Sequence, residues 1–383
     1  MDGFPIGAAA TLADFDDPHP LLARLRAAEP VSWLPALDGW IVTRRDLALR
    51  AMRDADSLTV DDPRFSTARV VGPSMLSLDG AAHDRHRAPF ARPFRLKPVR
   101  ERFAEPVAAE VERLIDAVAP RGGADLRREL AGPLAAAVVM HALGLSGSEP
   151  GAVLGWYEQI VASVSGIAAG ADPTPAGGAA FDALADSIAT AFGGDSLVAD
   201  AAGDAGGLTR EEVVSNAAVL LFGGIETTEG MIANALLHLL GDAAALARVR
   251  AEPGLIPNAV EESLRLEPAA ATIDRYATRD LELGGAPVRA GDLVVISIAA
   301  ANRDPEVFDG PDRFDPERAN ARLHLAFAHG PHVCIGMHLA RLEAQAAVAR
   351  ALERLPGLRL DDPAGAAPRG LVFRKPPELR VSW

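Results

Sequence analysis

Apolar residues recur at spacings of three and four along most of this chain, and that period limits the possible folds more than any other feature. It predicts helices over Pro20 to Ala28, Arg44 to Arg53, Val99 to Val118 and Leu126 to Leu143. A longer helical pattern runs from about Thr209 to Leu240. Strand-like runs are few and short: Val31 to Leu34, Gly39 to Thr43, Leu281 to Leu283 and Leu293 to Ile298. Trp40-Ile41-Val42-Thr43, directly after Asp38-Gly39, reads as the return strand of a hairpin. Proline and glycine are scattered and no fixed-period repeat is visible, so nothing divides the chain. The expectation is one domain over residues 1–383, mainly α with a small β region. The segment from Ser165 to Gly178 is the most loop-like, because Gly, Pro and Ala replace periodic residues there. It reads as a surface connection or as a mobile lid between two helices.

Hydrophobic residues make up 49% of the 383, ample for a sizeable core. The balance of 38 Lys and Arg against 52 Asp and Glu gives a net charge of −14, which argues against a nucleic-acid partner. A single cysteine excludes a disulfide scaffold and fits a reducing cytoplasm. Met1-Asp2-Gly3-Phe4-Pro5 has no basic n-region and no apolar h-region. The longest apolar stretch, Ala135 to Leu145, contains His141 and is too short to span a bilayer. A soluble, cytoplasmic monomer without membrane association is expected.

The one cysteine, Cys334, lies in the run Phe327-Ala328-His329-Gly330-Pro331-His332-Val333-Cys334-Ile335-Gly336. Without context, a free cysteine reads as a small buried hydrophobe. The context points elsewhere. Gly330 and Gly336 let backbone approach something bulky, and Pro331 stiffens the loop. After Gly336 the pattern turns helical, so Cys334 lies just before a helix N-terminus. Unpaired N–H groups and the helix dipole favour an anionic sulfur there. A thiolate so placed can be the single protein ligand of a haem iron, and such a ligand pushes electron density toward O–O cleavage.

Other runs suit the same cofactor. Gly223 and Gly224 fall inside the long helical pattern, where each glycine costs about 1 kcal/mol relative to alanine. Close helix packing would justify them, and so would backbone lying flat against a large planar group, with a local break that makes room for O2. Glu226 and Thr227 follow, an acid and an alcohol side by side that could relay protons through water. Glu262 and Arg265 share a helix face at i, i+3 and can pair. His83 and Arg87 share a face at i, i+4; either they belong to a solvated face or they meet the two haem propionates, which need cations once buried. Arg85 and His86, in the same run, read as solvated.

Together these runs resemble the cytochrome P-450 family of haem-thiolate monooxygenases. Phe327, Gly330, His332, Cys334, Gly336, Leu339, Ala340 and Arg341 match the haem loop Phe-Gly-x-Gly-x-His-x-Cys-x-Gly and the Leu-Ala-Arg that follows it. Ala328 departs, standing where the first glycine is usual; a methyl group is tolerable if φ stays negative. Gly223, Gly224, Glu226 and Thr227 match the distal oxygen-activation helix, and Glu262 and Arg265 the Glu-x-x-Arg signature. Pro311 to Pro316 is similar to the Pro-x-Arg-Phe stretch, whose Arg313 would complete a network with Glu262 and Arg265. His83 and Arg87 match His-x-x-x-Arg; with Arg275 and His332 they would anchor the propionates.

The resemblance implies a haem b cofactor held between a distal long helix and a proximal Cys loop and helix, with Cys334 as the metal ligand and Phe327 and Gly336 beside it. Glu226 and Thr227 would be catalytic. It implies a bacterial monooxygenase that inserts one oxygen atom from O2 into a small organic substrate. Hydroxylation in secondary metabolism or catabolism is expected, with oxidative coupling without oxygen insertion as one alternative and a non-catalytic haem sensor as another. No flavin or dinucleotide fingerprint is present, so ferredoxin and ferredoxin reductase are the implied electron donors, with Arg85, Arg92 and Arg95 as docking candidates. The stretch Asp56 to Leu78 should form a loop over the pocket. Ala218, Phe222 and Ile225 should line it, with Ala269 to Ile273 and Leu371 to Phe373 on its far side.

Overall fold

The computed structural model describes residues 3–145, 147–168, 171–193, 196–203 and 207–383. One helix, Arg210–Gly241, organises it. It starts in a capping box: the Thr209 hydroxyl accepts the Glu212 N–H at 3.2 Å, and the Glu212 carboxylate accepts the Thr209 N–H at 2.9 Å. Its apolar residues are not confined to one stripe, and from Val213 to Leu239 it is buried on nearly every side. Gly132–Leu143, Ile256–Leu266 and Met337–Arg354 pack around it, and the last of these lies against Leu96–Val118. The largest hydrophobic core surrounds these helices.

The sheet region stands to one side. Five strands lie in the order Val31–Leu34, Gly39–Val42, Leu293–Ser297, Thr272–Ala277, Leu58–Thr59. The first two form the expected hairpin, in register at Trp33 and Trp40. Gly39–Val42 then runs parallel to Leu293–Ser297. A second core fills the space beneath, with Trp40, Val42, Met52, Val294 and Ile296.

Several expectations need correction. Leu126 to Leu143 is not one regular helix: Arg127–Ala131 is a π-turn that leads into Gly132–Leu143. The stretch Ser165 to Gly178 is mostly helical. Pro150–Ala168 and Pro175–Thr190 flank residues 171–174, while 169 and 170 lie outside the described residues. Pro175 opens a helix, where its missing N–H is harmless, and a Cβ on Gly177 would stand 2.5 Å from that of Ser163. These residues serve a helix start and a close helix crossing, and 171–174 form an exposed stretch between the two helices, as a surface connection would. Asp56 to Leu78 is mostly loop, as expected, with two short elements. It contains Leu58–Thr59 and Ala68–Val71, and the Met75 N–H donates to Asn216 on the central helix at 2.8 Å. No single helix among the described residues is long and apolar enough to cross a membrane.

Candidate active site

Cys334 is presented by a loop that closes on itself. Its N–H donates to the Phe327 carbonyl at 2.8 Å, and the Val333 N–H to that of Gly330 at 3.1 Å. Gly330 has φ +77°, and a Cβ there would stand 2.6 Å from the Met52 carbonyl oxygen, so this position needs glycine. Ala328 has φ +55°. The condition attached to it in the sequence is not met: the loop holds an alanine in the left-handed region, at roughly 1–2 kcal/mol. Gly336 caps the helix Met337–Arg354. The Cys334 side chain is exposed, yet protein crowds around it. Burial pushes its thiol up; the Gly336 N–H, the Arg87 and Arg341 guanidiniums and the Met337 N–H pull it down. Phe327 is half-buried beside it, with the Arg341 guanidinium 4.4 Å from the ring centre.

A cluster of cationic side chains stands next to this loop. His83 is buried on the helix Gly80–Ala91, 4.4 Å ring to ring from His332. Its Nε2 has no partner. Burial, then His332 and Arg87, pushes its pKa down. Arg87 donates to the Val333 carbonyl at 2.5 Å, and Arg275, buried on the strand Thr272–Ala277, to the Asp274 carbonyl at 2.7 Å. Among the described residues, neither arginine has a carboxylate within ion-pair distance. His332 Nε2 lies 2.7 Å from an Asp79 oxygen. His83, Arg87 and His332 therefore gather against the Cys334 loop, and Arg275 lies near Asp79, the His332 partner. Of the other two residues of that run, only His86 departs from expectation. His86 is buried, 2.9 Å from the Asn216 amide, and Arg85 pairs with Glu212 at 2.5 Å on the central helix. His86 therefore belongs to no solvated face, whereas Arg85 stays exposed beside its partner.

On the central helix the expected break does not occur; the helix is continuous through Gly223–Thr227. The two glycines have separate reasons. A Cβ on Gly224 would stand 2.9 Å from Val139, so Gly224 serves helix packing, whereas one on Gly223 would meet nothing within 4 Å. The Thr227 hydroxyl donates to the Gly223 carbonyl at 2.7 Å. Glu226 does not stand beside it. Its carboxylate is buried, accepts the Tyr157 hydroxyl, and pairs with Lys375 Nζ at 2.8 Å. Lys375 also pairs with Glu229, which Arg127 meets at 3.0 Å. Burial and the Glu226 carboxylate push the Tyr157 hydroxyl well up, so it donates and stays neutral. Nothing in the sequence pattern marked Tyr157, Lys375 or Arg127, which lie far from Glu226 along the chain.

The Glu-x-x-Arg pair is wholly buried, with Arg265 bidentate to Glu262 at 2.7 and 2.8 Å. Arg265 also donates to the Asn302, Pro311 and Arg313 carbonyls. The residue that completes the network is Arg318, whose Nε meets Glu262 at 2.9 Å. Arg313 contributes only its backbone; its own guanidinium is exposed and pairs with Asp315. The neighbouring Glu261 was also missed. Burial would raise it, but His324 and a bidentate Arg341 bring it down to about 2. This fixes the Cys334 helix to Ile256–Leu266.

Ala218, Phe222 and Ile225 are buried on the central helix, and the Phe222 ring meets that of Phe373 at 5.5 Å. Ala270 pairs with Phe373, and the Ala271 N–H donates to the Val372 carbonyl, so the two expected far-side segments lie together.

Haem b presents an iron for one thiolate, a flat face and two carboxylates. The residues present fit it: an exposed thiol, an open Gly223, two arginines without carboxylates and an orphaned imidazole nitrogen.

The chain is similar to known proteins along nearly its whole length. A sequence model described as Cytochrome P450 matches residues 189–363. The monooxygenase PikC of Streptomyces venezuelae is 36% identical, covering 95% of this chain and 89% of its own. Nocardicin C N-oxygenase of Nocardia uniformis subsp. tsuyamanensis is 36% identical over 99% of this chain and 98% of its own. Among solved structures, CalO2 superposes with a TM-score of 0.88 at 32% identity, covering 97% of each chain. P450BioI in complex with an acyl carrier protein has the same TM-score at 29% identity, over 98% of this chain and 100% of that one. With such relatives along nearly its whole length, the chain belongs to the cytochrome P450 family of haem-thiolate oxidoreductases.

Proposed function

We propose that this protein, as a single domain over residues 1–383, inserts one oxygen atom from O2 into a small organic substrate of secondary metabolism. The observation that carries the reading is the Cys334 loop with His83, Arg87 and His332 gathered against it, and an open Gly223 position on the central helix supports it. Bound haem supplies O2 binding and O–O cleavage. The chain supplies the rest. Cys334 is the ligand, its negative charge favoured by the Gly336 and Met337 N–H groups and by Arg87 and Arg341. His83, Arg87, Arg275 and His332 bind the propionates and orient the ring. Phe222 and Phe373 exclude water from the substrate side and favour apolar substrates. The Thr227 hydroxyl holds a proton near the Gly223 carbonyl, ready for a water to pass on. Glu226 supplies charge behind it and holds the Tyr157 proton in place.

Electrons would come from a ferredoxin and its reductase. Arg92, Arg95, Lys97 and Arg100 are exposed around Leu96, itself 46% exposed. Burial, then Arg341 and Arg100, pushes down the pKa of His338, near the start of the Cys334 helix. In a chain of net charge −14 this basic stripe is a site for an acidic donor. Arg85 is withdrawn from it, because Glu212 holds that side chain at the central helix.

Turnover under ¹⁸O₂ with a ferredoxin system tests the reaction class. One labelled oxygen per product supports the proposal; a coupled or ring-closed product without label would assign the other oxidase chemistry.

A further inference from the structure

Asp79 occupies the N-cap of the helix Gly80–Ala91, where an aspartate ordinarily accepts an N–H of the first turn. It makes no such bond. A forgone cap is worth roughly 1 kcal/mol. The carboxylate instead accepts the Thr59 hydroxyl at 2.6 Å and the Val60 N–H at 2.8 Å, and meets His332 Nε2 at 2.7 Å. It is also a negative charge close to Arg275, which it attracts. A bare anion here would oppose a propionate, so its value must come from what it holds. The His332 ring is confined by two things, this bond at Nε2 and the His83 ring 4.4 Å away. Together they leave Nδ1 as the one polar atom of His332 free of them.

We propose that Asp79 is a positioning residue for haem. It fixes the orientation of the His332 imidazole, and through Thr59 and Val60 it joins the Asp56 to Leu78 segment to that imidazole. The proposal rests on the reading of His332 as a propionate anchor. It follows the general pattern in which a carboxylate behind a histidine orients the ring, and loss of such a partner commonly weakens binding about 10- to 100-fold.

The test is the rate of haem transfer from the holoprotein to excess apomyoglobin, with the thermal midpoint measured in parallel. The set is wild type, Asp79→Ala, Asp79→Ser, His332→Ala and the double variant Asp79→Ala/His332→Ala. Serine restores an ordinary helix cap but does not reach His332, so it keeps the fold testable if alanine does not. Both Asp79 variants should lose haem about tenfold faster. The double variant should lose it no faster than His332→Ala alone, because Asp79 acts through that ring. Haem loss at or below the wild-type rate in Asp79→Ser overturns the proposal, and so does additivity in the double variant. If His332→Ala itself leaves haem loss unchanged, the anchor reading of His332 falls and this proposal with it. Faster loss in His332→Ala alone removes only the role of Asp79.

Discussion

At Ala328 the chain keeps a side chain where its loop demands φ +55°. Ala328→Gly should therefore raise stability by about 1 kcal/mol, the left-handed penalty less the extra entropy of glycine, and a thermal midpoint checks it. An unchanged or lower midpoint would mean that the methyl group packs usefully. Arg87 and Arg275 carry the larger expectation. Each is half-buried or buried without a carboxylate partner, so a propionate stripped of either is costly. Arg275→Ala and Arg87→Ala should lower haem affinity about a hundredfold, on the order of 3 kcal/mol, whereas Arg85→Ala should not. Equal retention in all three would move the propionates elsewhere. Among single residues, those with fixed local spacing were legible. His83 and Arg87 could be read from one helix face, and Cys334 from its loop. Arg318 was not, because Arg313 lay in the expected stretch while the fold brought a guanidinium from beyond it to Glu262.

The central helix separates two tasks that adjacent residues first suggested were one. Thr227 is half-buried and bonded to the Gly223 carbonyl, while Glu226 points into a chain of charges with Tyr157, Lys375, Glu229 and Arg127. Thr227→Ala should release reduced oxygen as peroxide while haem content and substrate affinity stay near wild type; peroxide yield per O2 consumed is the measurement. Unchanged coupling would favour a sensor or a peroxide-dependent enzyme. Lys375→Met leaves Glu226 and Glu229 buried together without their shared cation, and should destabilise the protein by about 3–5 kcal/mol in denaturant titration. A loss below 1 kcal/mol would mean that water reaches both carboxylates. The sequence pattern located this helix almost to the residue, since its capping box and apolar run are local signals. Its polar partners come from segments remote in sequence, and no periodicity reports those. The π-turn that carries Arg127 was hidden for a related reason: its one-residue widening preserves the apolar period on either side.

Across the whole molecule, pH dependence should reflect a few buried titratable groups. Burial opposes the charged forms of Glu261 and Glu267, yet their partners hold both at about 2, below the ordinary value of 4.5. Their stabilisation is complete above about pH 4.5 and is lost as pH falls toward 2. Burial holds His238 at about 4 rather than 6.5, so the unfolded chain binds that proton first and stability already falls below about pH 6.5. Glu343 has the opposite sign. Buried on the Cys334 helix with an unpartnered oxygen, its pKa is raised well above 4.5, so its term weakens the fold as pH rises past that value. Glu343→Gln should flatten the stability profile above pH 5 and change little below pH 4; a parallel shift at every pH would contradict this. The helical class, the small sheet and the order of the motifs were legible because each rests on short-range spacing. The pairing of Thr272–Ala277 beside Leu293–Ser297 was not, since the run Thr272-Ile273-Asp274-Arg275 lacks clean alternation and owes its strand to the neighbours it meets. All of this depends on Cys334 as the iron ligand. The ferrous carbonyl spectrum tests it most directly: wild type should show the red-shifted Soret band of a thiolate ligand and Cys334→Ser should not, whereas a variant that keeps that band would contradict the assignment.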